Sequence, residues 1–196
     1  MLKDSRRLLL PLSVIVLGLM ALAATAYVVT PDKSAPRASA IGGAFTLVRQ
    51  DGQTVTDAAF KGEPLLVFFG YTHCPDVCPT SLFEISEVFK AMGPDKKVQA
   101  LFITVDPARD TPETMKDYLS SFDPRIVGLS GDPAQTKAVE KAFRVYAKKV
   151  PGAHGDDYTM DHTAIVYLLD KQGRFVNAFN LERTPQEAAK DLERYL

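Results

Sequence analysis

The chain has 196 residues, with 23 Lys and Arg against 24 Asp and Glu, a net charge of -1, 46% hydrophobic and 24% charged residues. This is the makeup of a folded protein, and the near-zero charge offers no basic face to phosphates, so no nucleic-acid partner is expected. Only two Cys are present, which excludes a small scaffold stapled by disulfides, and no repeat of solenoid period occurs.

From Leu8 to Val29 the sequence reads LLLPLSVIVLGLMALAATAYVV, without one charged side chain. As a helix rising about 1.5 Å per residue it reaches roughly 33 Å, enough for a hydrocarbon core of about 30 Å. Lys3, Arg6 and Arg7 precede it, so the positive-inside rule keeps residues 1–7 cytoplasmic and sends the rest outward. Pro11 falls in the first turn, where its missing N–H costs little. Ala24-Thr25-Ala26 has the form of a leader cleavage site. The apolar stretch, however, exceeds the ~7–15 residues usual in a cleaved leader, which favours a retained transmembrane anchor over 8–29. No Cys lies nearby to carry a lipid. Residues 30–40 are rich in Pro, Ala and Ser and read as a linker. Residues 41–196 suffice for one domain with its own core.

Phe45–Arg49 and Thr54–Val55 flank Asp51-Gly52 as a hairpin. Leu65–Phe69 is a continuous apolar run of strand length, as in a strand buried on both faces. It leads through Gly70 into THCPDVCP, after which Leu82, Ile85, Val88 and Phe89 recur at helical spacing until Met92-Gly93-Pro94. Val98–Val105 is a second buried strand, ending at Asp106-Pro107. Thr111-Pro112 caps the next helix, and Arg125–Leu129 is a third strand. Asp132-Pro133-Ala134-Gln135 caps another helix, with Ala138, Ala142, Phe143 and Tyr146 as its apolar stripe. Residues 150–161 read as a polar loop, followed by His162–Leu169 and Arg174–Phe179 as a hairpin and Thr184-Pro185-Gln186-Glu187 as a capping box. Strands alternating with helices imply a mixed sheet with helices on both faces.

Cys74 and Cys78, spaced C-P-D-V-C, stand between a buried strand and a helix. A helix N-terminus favours thiolate over thiol, the state that both redox chemistry and metal binding use. A structural disulfide is the plainer reading, but so short a loop removes little chain entropy. A closed zinc site wants four Cys or His ligands; the chain holds two Cys and three His, with His73 adjoining Cys74 and His154 in a Gly-flanked loop. His162 opens an apolar strand and reads first as a satisfied edge histidine. In a thioredoxin-type sheet, however, the loop entering this strand faces the Cys pair. Two thiolates and one imidazole suit copper, three-coordinate as Cu(I) or, with a further ligand, Cu(II).

Asp106 and Asp110 lie in VDPARDTP at a strand C-terminus, where α/β sheets place functional groups; turn and cap chemistry is the alternative for both. Met160 reads as packing rather than a thioether ligand. Gly155-Asp156-Asp157-Tyr158 reads as solvated surface.

In this order, GYTHCPDVCPTSL, ITVDPARDTPE and MDHTAIVYLLD resemble the Sco/SenC family of thioredoxin-fold copper proteins, from about Phe45 to the C-terminus. C-x3-C alone would carry little; three ordered motifs are specific. The resemblance implies a thioredoxin-like three-layer α/β sandwich with a mixed central sheet and an N-terminal β-hairpin. It implies Cys74, Cys78 and His162 as ligands of one copper per chain, with Asp106 and Asp110 as supporting residues. It also implies a role in building the dinuclear copper centre of cytochrome c oxidase subunit II. Partners implied are that subunit, a thioredoxin-like reductant and another periplasmic copper chaperone. The place implied is a bacterial inner membrane with the domain in the periplasm, or the mitochondrial inner membrane facing the intermembrane space. A second function, from the Cys74/Cys78 pair alone, is a thiol–disulfide oxidoreductase acting on the same acceptor. A third is a peroxidase using Thr72 and Arg109.

Overall fold

Leu65–Gly70 (β3) is buried at all six residues, which requires a strand on each side and cover on both faces. On one side Gln99–Thr104 (β4) runs parallel to it, from Leu65 opposite Gln99 to Gly70 opposite Thr104. On the other, Val166–Leu169 (β8) runs antiparallel and begins only opposite Phe68. Phe69 and Gly70 therefore extend past β8, towards the Cys motif.

The remaining strands of this sheet are Thr46–Arg49 (β1), Thr54–Thr56 (β2), Ile126–Ser130 (β5) and Phe175–Ala178 (β9). Together they form one seven-stranded sheet of order β2-β1-β5-β4-β3-β8-β9. The β3-β4-β5 centre is parallel and both flanks are antiparallel. The β1–β2 hairpin turns where expected, at Gly52, whose φ of 85° lies in the left-handed region that glycine enters without penalty.

Four helices complete the layers: Val77–Met92 (α1), Pro112–Leu119 (α2), Pro133–Phe143 (α3) and Pro185–Leu192 (α4). Successive residues of a strand point to opposite faces. Phe68 stacks on Phe102, which meets Tyr118 of α2, whereas Phe69 meets Phe143 of α3. Thus α2 and α3 cover opposite faces, as the expected sandwich requires. Thr111, Asp132 and Thr184 cap their helices through side-chain oxygens, the last two as full capping boxes.

Three expectations fail locally. The strand expected from His162 to Leu169 begins only at Val166, and His162 instead ends another strand. The buried stripe of α3 is Thr136, Val139, Glu140 and Phe143; Ala138 is exposed, and Tyr146 lies beyond the helix, which ends where Arg144 turns left-handed. Residues 150–161 are not simply a loop. Ala147–Pro151 (β6) and Tyr158–His162 (β7) pair antiparallel as a separate ribbon, with Ala147 opposite His162. The half-buried alternation Tyr158, Met160, His162 is the period-2 signal of that strand.

The computed structural model describes residues 15, 18–20, 22, 41–152 and 157–196. The chain divides into two compact units, Met1–Ala38 and Ser39–Leu196, the second holding the fold above. In the first, the five described residues are helical and exposed. Among the described residues no helix is long and apolar enough to cross a membrane. The span expected at 8–29 otherwise lies outside them, as do the linker at 30–40, His154, Gly155 and Asp156.

Candidate metal centre

Residues 71–76 carry the chain from the end of β3 to the start of α1. The first N–H groups of a helix have no partner within it, and Asp76, at the N-cap, offers no side-chain hydrogen bond. The Cys78 N–H points instead at the Cys74 sulfur, 3.4 Å away. Pro79 in the same turn has no N–H to satisfy. Cys74 lies at the rim, 9% exposed, and Cys78 is fully buried. The Cys78 sulfur rests against the backbone of Gly70: a Cβ there would stand 2.7 Å from it and 2.6 Å from the Phe102 ring.

His162 arrives from the end of β7. Its Nδ1 lies 3.2 Å from the Thr163 carbonyl, which can only accept, so the proton sits on Nδ1. That leaves the Nε2 lone pair facing the Cys78 sulfur at 3.5 Å. Tyr71 and Phe68 set their rings edgewise to the imidazole, at 5.8 and 6.3 Å between centroids. One donor atom each from Cys74, Cys78 and His162 lie within 4.8 Å of one another. No other grouping of three such side chains occurs among the described residues, and His73 is not part of this one.

Both thiols are free. Burial pushes the Cys78 thiol well up from its ordinary value, more than the N–H of Tyr71 lowers it. The helix N-terminus was expected to favour thiolate; at Cys78, loss of water outweighs it. Burial likewise lowers His162 from its ordinary value, so the imidazole stays neutral and able to donate its lone pair. A cation held between the sulfurs would displace the thiol protons, and two soft sulfurs with one imidazole fit a copper ion. Three donors are one short of a closed zinc site.

Asp110 has no exposed surface. Its carboxylate accepts the hydroxyls of Thr72 and Thr104, each at 2.6 Å, and the Thr72 N–H at 3.1 Å. It therefore anchors the chain two residues ahead of Cys74. Burial raises its pKa despite these bonds. Asp106, 4% exposed, accepts Tyr158 Oη at 2.9 Å on one oxygen and Arg109 Nε on the other. Its carbonyl also closes the turn by accepting the N–H groups of Arg109 and Asp110. Both aspartates thus do more than shape a turn. Thr72 gives its hydroxyl and N–H to Asp110, and Arg109 gives Nε to Asp106 and Nη1 to the Tyr158 carbonyl, so neither hydrogen-bonds a thiol as a peroxidase would need.

Met160 lines the groove over the site with Tyr71, Cys74, Pro75, Asp76, Val77 and His162. Tyr158 is half-buried, not solvated; its partner Asp106 lies 52 residues away, and no local pattern announces such a contact. Gly70 did carry a signal, as a glycine closing an apolar run directly before the motif.

The SCO1/SenC family model matches residues 33–196. The chain belongs to the SCO1/SenC family. A SCO2-like protein of Rickettsia felis is 39% identical over 155 residues, covering 78% of this chain and 76% of that protein. The solved structure of Bradyrhizobium japonicum ScoI with copper bound is 68% identical, with a TM-score of 0.77, covering 80% of this chain and 99% of that one. Yeast Sco1 with copper bound is 34% identical, with a TM-score of 0.73 and coverage of 79% and 87%. The fold is accordingly the thioredoxin-like one that the motifs implied.

Proposed function

We propose that the chain binds one copper ion through Cys74, Cys78 and His162 and delivers it to the dinuclear copper centre of cytochrome c oxidase subunit II. The observation that carries this reading is the convergence of two sulfurs and one imidazole nitrogen within 4.8 Å, on a buried floor with one open side. Solved relatives with copper bound support the choice of metal. Family membership supports the destination.

Copper is cargo in this reading, and the residues divide the work of holding and releasing it. Cys78 and His162 hold the ion from below, with Thr163 keeping the proton off Nε2. Cys74 sits at the rim, so an acceptor thiol entering the groove meets that side first. Each new acceptor bond replaces one donor bond, so the ion is never released to water. Residues 8–29 tether the domain to a membrane and residues 41–196 work in the periplasm or an equivalent space. There the thiol pair needs a thioredoxin-like reductant to stay open, and another copper chaperone to load it.

The same geometry favours one other reading. An outer Cys74 and a fully buried Cys78 match an attacking thiol and a resolving one. As an oxidoreductase, the dithiol would reduce an acceptor disulfide, becoming a disulfide itself as the acceptor becomes a dithiol. One transfer experiment separates the two. Full-length chain loaded with Cu(I) under anaerobic conditions is mixed with the reduced, copper-free domain of subunit II. The delivery reading expects copper to move to the acceptor and the thiols of the donor to stay reduced. Copper staying put, while the copper-free dithiol chain reduces the oxidised acceptor, would replace delivery with thiol exchange.

A further inference from the structure

His162 does not stand on the main sheet. It ends β7, and the ladder between β6 and β7 holds that ribbon together without fixing it against the body that carries the cysteines. The ribbon is tied to that body by side chains. Arg109 Nη1 donates to the Tyr158 carbonyl at 3.1 Å. The Tyr158 hydroxyl crosses to Asp106 at 2.9 Å, and Arg109 Nε completes the same carboxylate. The Tyr158 ring lies 3.6 Å from the Arg109 guanidinium carbon and 3.5 Å from Lys149 Nζ, close enough for both cations to be drawn to it.

Tyr158 and His162 share one face of the same strand, four residues apart. A strand is stiff over that length, roughly 13 Å, so what holds one end aims the other. The Arg109 guanidinium also lies 5.7 Å from the Tyr71 ring, whose edge contact frames the imidazole. We infer that Tyr158, clamped by Asp106 and Arg109, is a positioning residue that aims His162 at the thiol pair. This rests on the copper-site reading for its purpose. Its geometry stands in the copper-free chain, where it is tested first.

The clamp is loosened without emptying the space by Tyr158→Phe, which removes one hydroxyl, and by Arg109→Lys, which keeps the charge but loses the fork. In the reduced, copper-free full-length chain, amide hydrogen exchange over residues 158–162 and the His162 imidazole resonances are compared with wild type. The same variants are then loaded with Cu(I), and its loss to a competing chelator is followed. Faster exchange, shifted His162 resonances and Cu(I) retention weakened roughly 10- to 100-fold are expected, with the reactivity of both thiols unchanged. A purely structural role would lower the unfolding temperature while leaving the His162 resonances and copper retention as in wild type. That result in both variants would overturn the inference. Should Tyr158→Phe not fold, Arg109→Lys decides by the same criteria. Wild-type chain that takes up no Cu(I) would sink the copper reading alone, and the copper-free exchange data would still decide the clamp.

Discussion

Cys78 has its sulfur pressed on the backbone of Gly70, where a single methyl group would fall within 2.7 Å. The neighbouring wall is the Phe102 ring, itself stacked on Phe68, so it has little room to retreat. Gly70→Ala should therefore displace the sulfur rather than the wall. The expected outcome is a folded chain destabilised by about 1–3 kcal/mol, as for other overpacked cores. Its copper affinity should fall by about tenfold or more, because one donor has left its place. Thermal unfolding and chelator competition read the two effects separately. Unchanged affinity would mean that Cys78 is not where the ion is held.

At the scale of elements, the loop before α1 depends on a carboxylate from the far side of β4. Asp110 takes three hydrogen bonds from Thr72 and Thr104 with no access to water. Asp110→Ala orphans those donors and should cost about 3 kcal/mol in urea unfolding at neutral pH. Asp110→Asn keeps an acceptor oxygen and should cost less. Burial raises the folded pKa of Asp110 above its ordinary 3.8, so the folded state holds this proton more tightly than the unfolded one. That contribution is complete below about 3.8 and lost as pH rises through the folded value. The gap between wild type and Asp110→Ala should therefore widen as pH falls into the acid range. A gap that narrows instead would place the charged carboxylate, not the protonated one, as the form the fold prefers. The same elements show what the sequence could tell. Apolar runs were legible for β3 and β4, helical spacing for α1 and capping residues for α2, α3 and α4, because each signal is local. The β6–β7 ribbon was not, because its strands are half-polar and owe their order to Arg109 and Asp106, which lie far away along the chain. The ligand set was legible as chemistry, but the aiming of His162 was not, since it needs contacts between residues some 50 positions apart.

At the scale of the molecule, the sheet brings three distant segments to one end. The first follows β3 with the thiols, the second follows β4 with the two aspartates, and the third is the ribbon that returns His162 before β8 begins. Because β8 starts only opposite Phe68, the ends of β3 and β7 have space to meet. The arrangement makes His162 the residue that separates a metal carrier from a simple dithiol. Chelator competition for Cu(I), under anaerobic conditions, on the reduced wild-type chain and on His162→Ala tests this most directly. The account predicts one tightly held Cu(I) per wild-type chain and a loss of roughly 100-fold or more in the variant, with both thiols still reactive. Equal affinity in the two chains would contradict it and leave Cys74 and Cys78 as a redox pair.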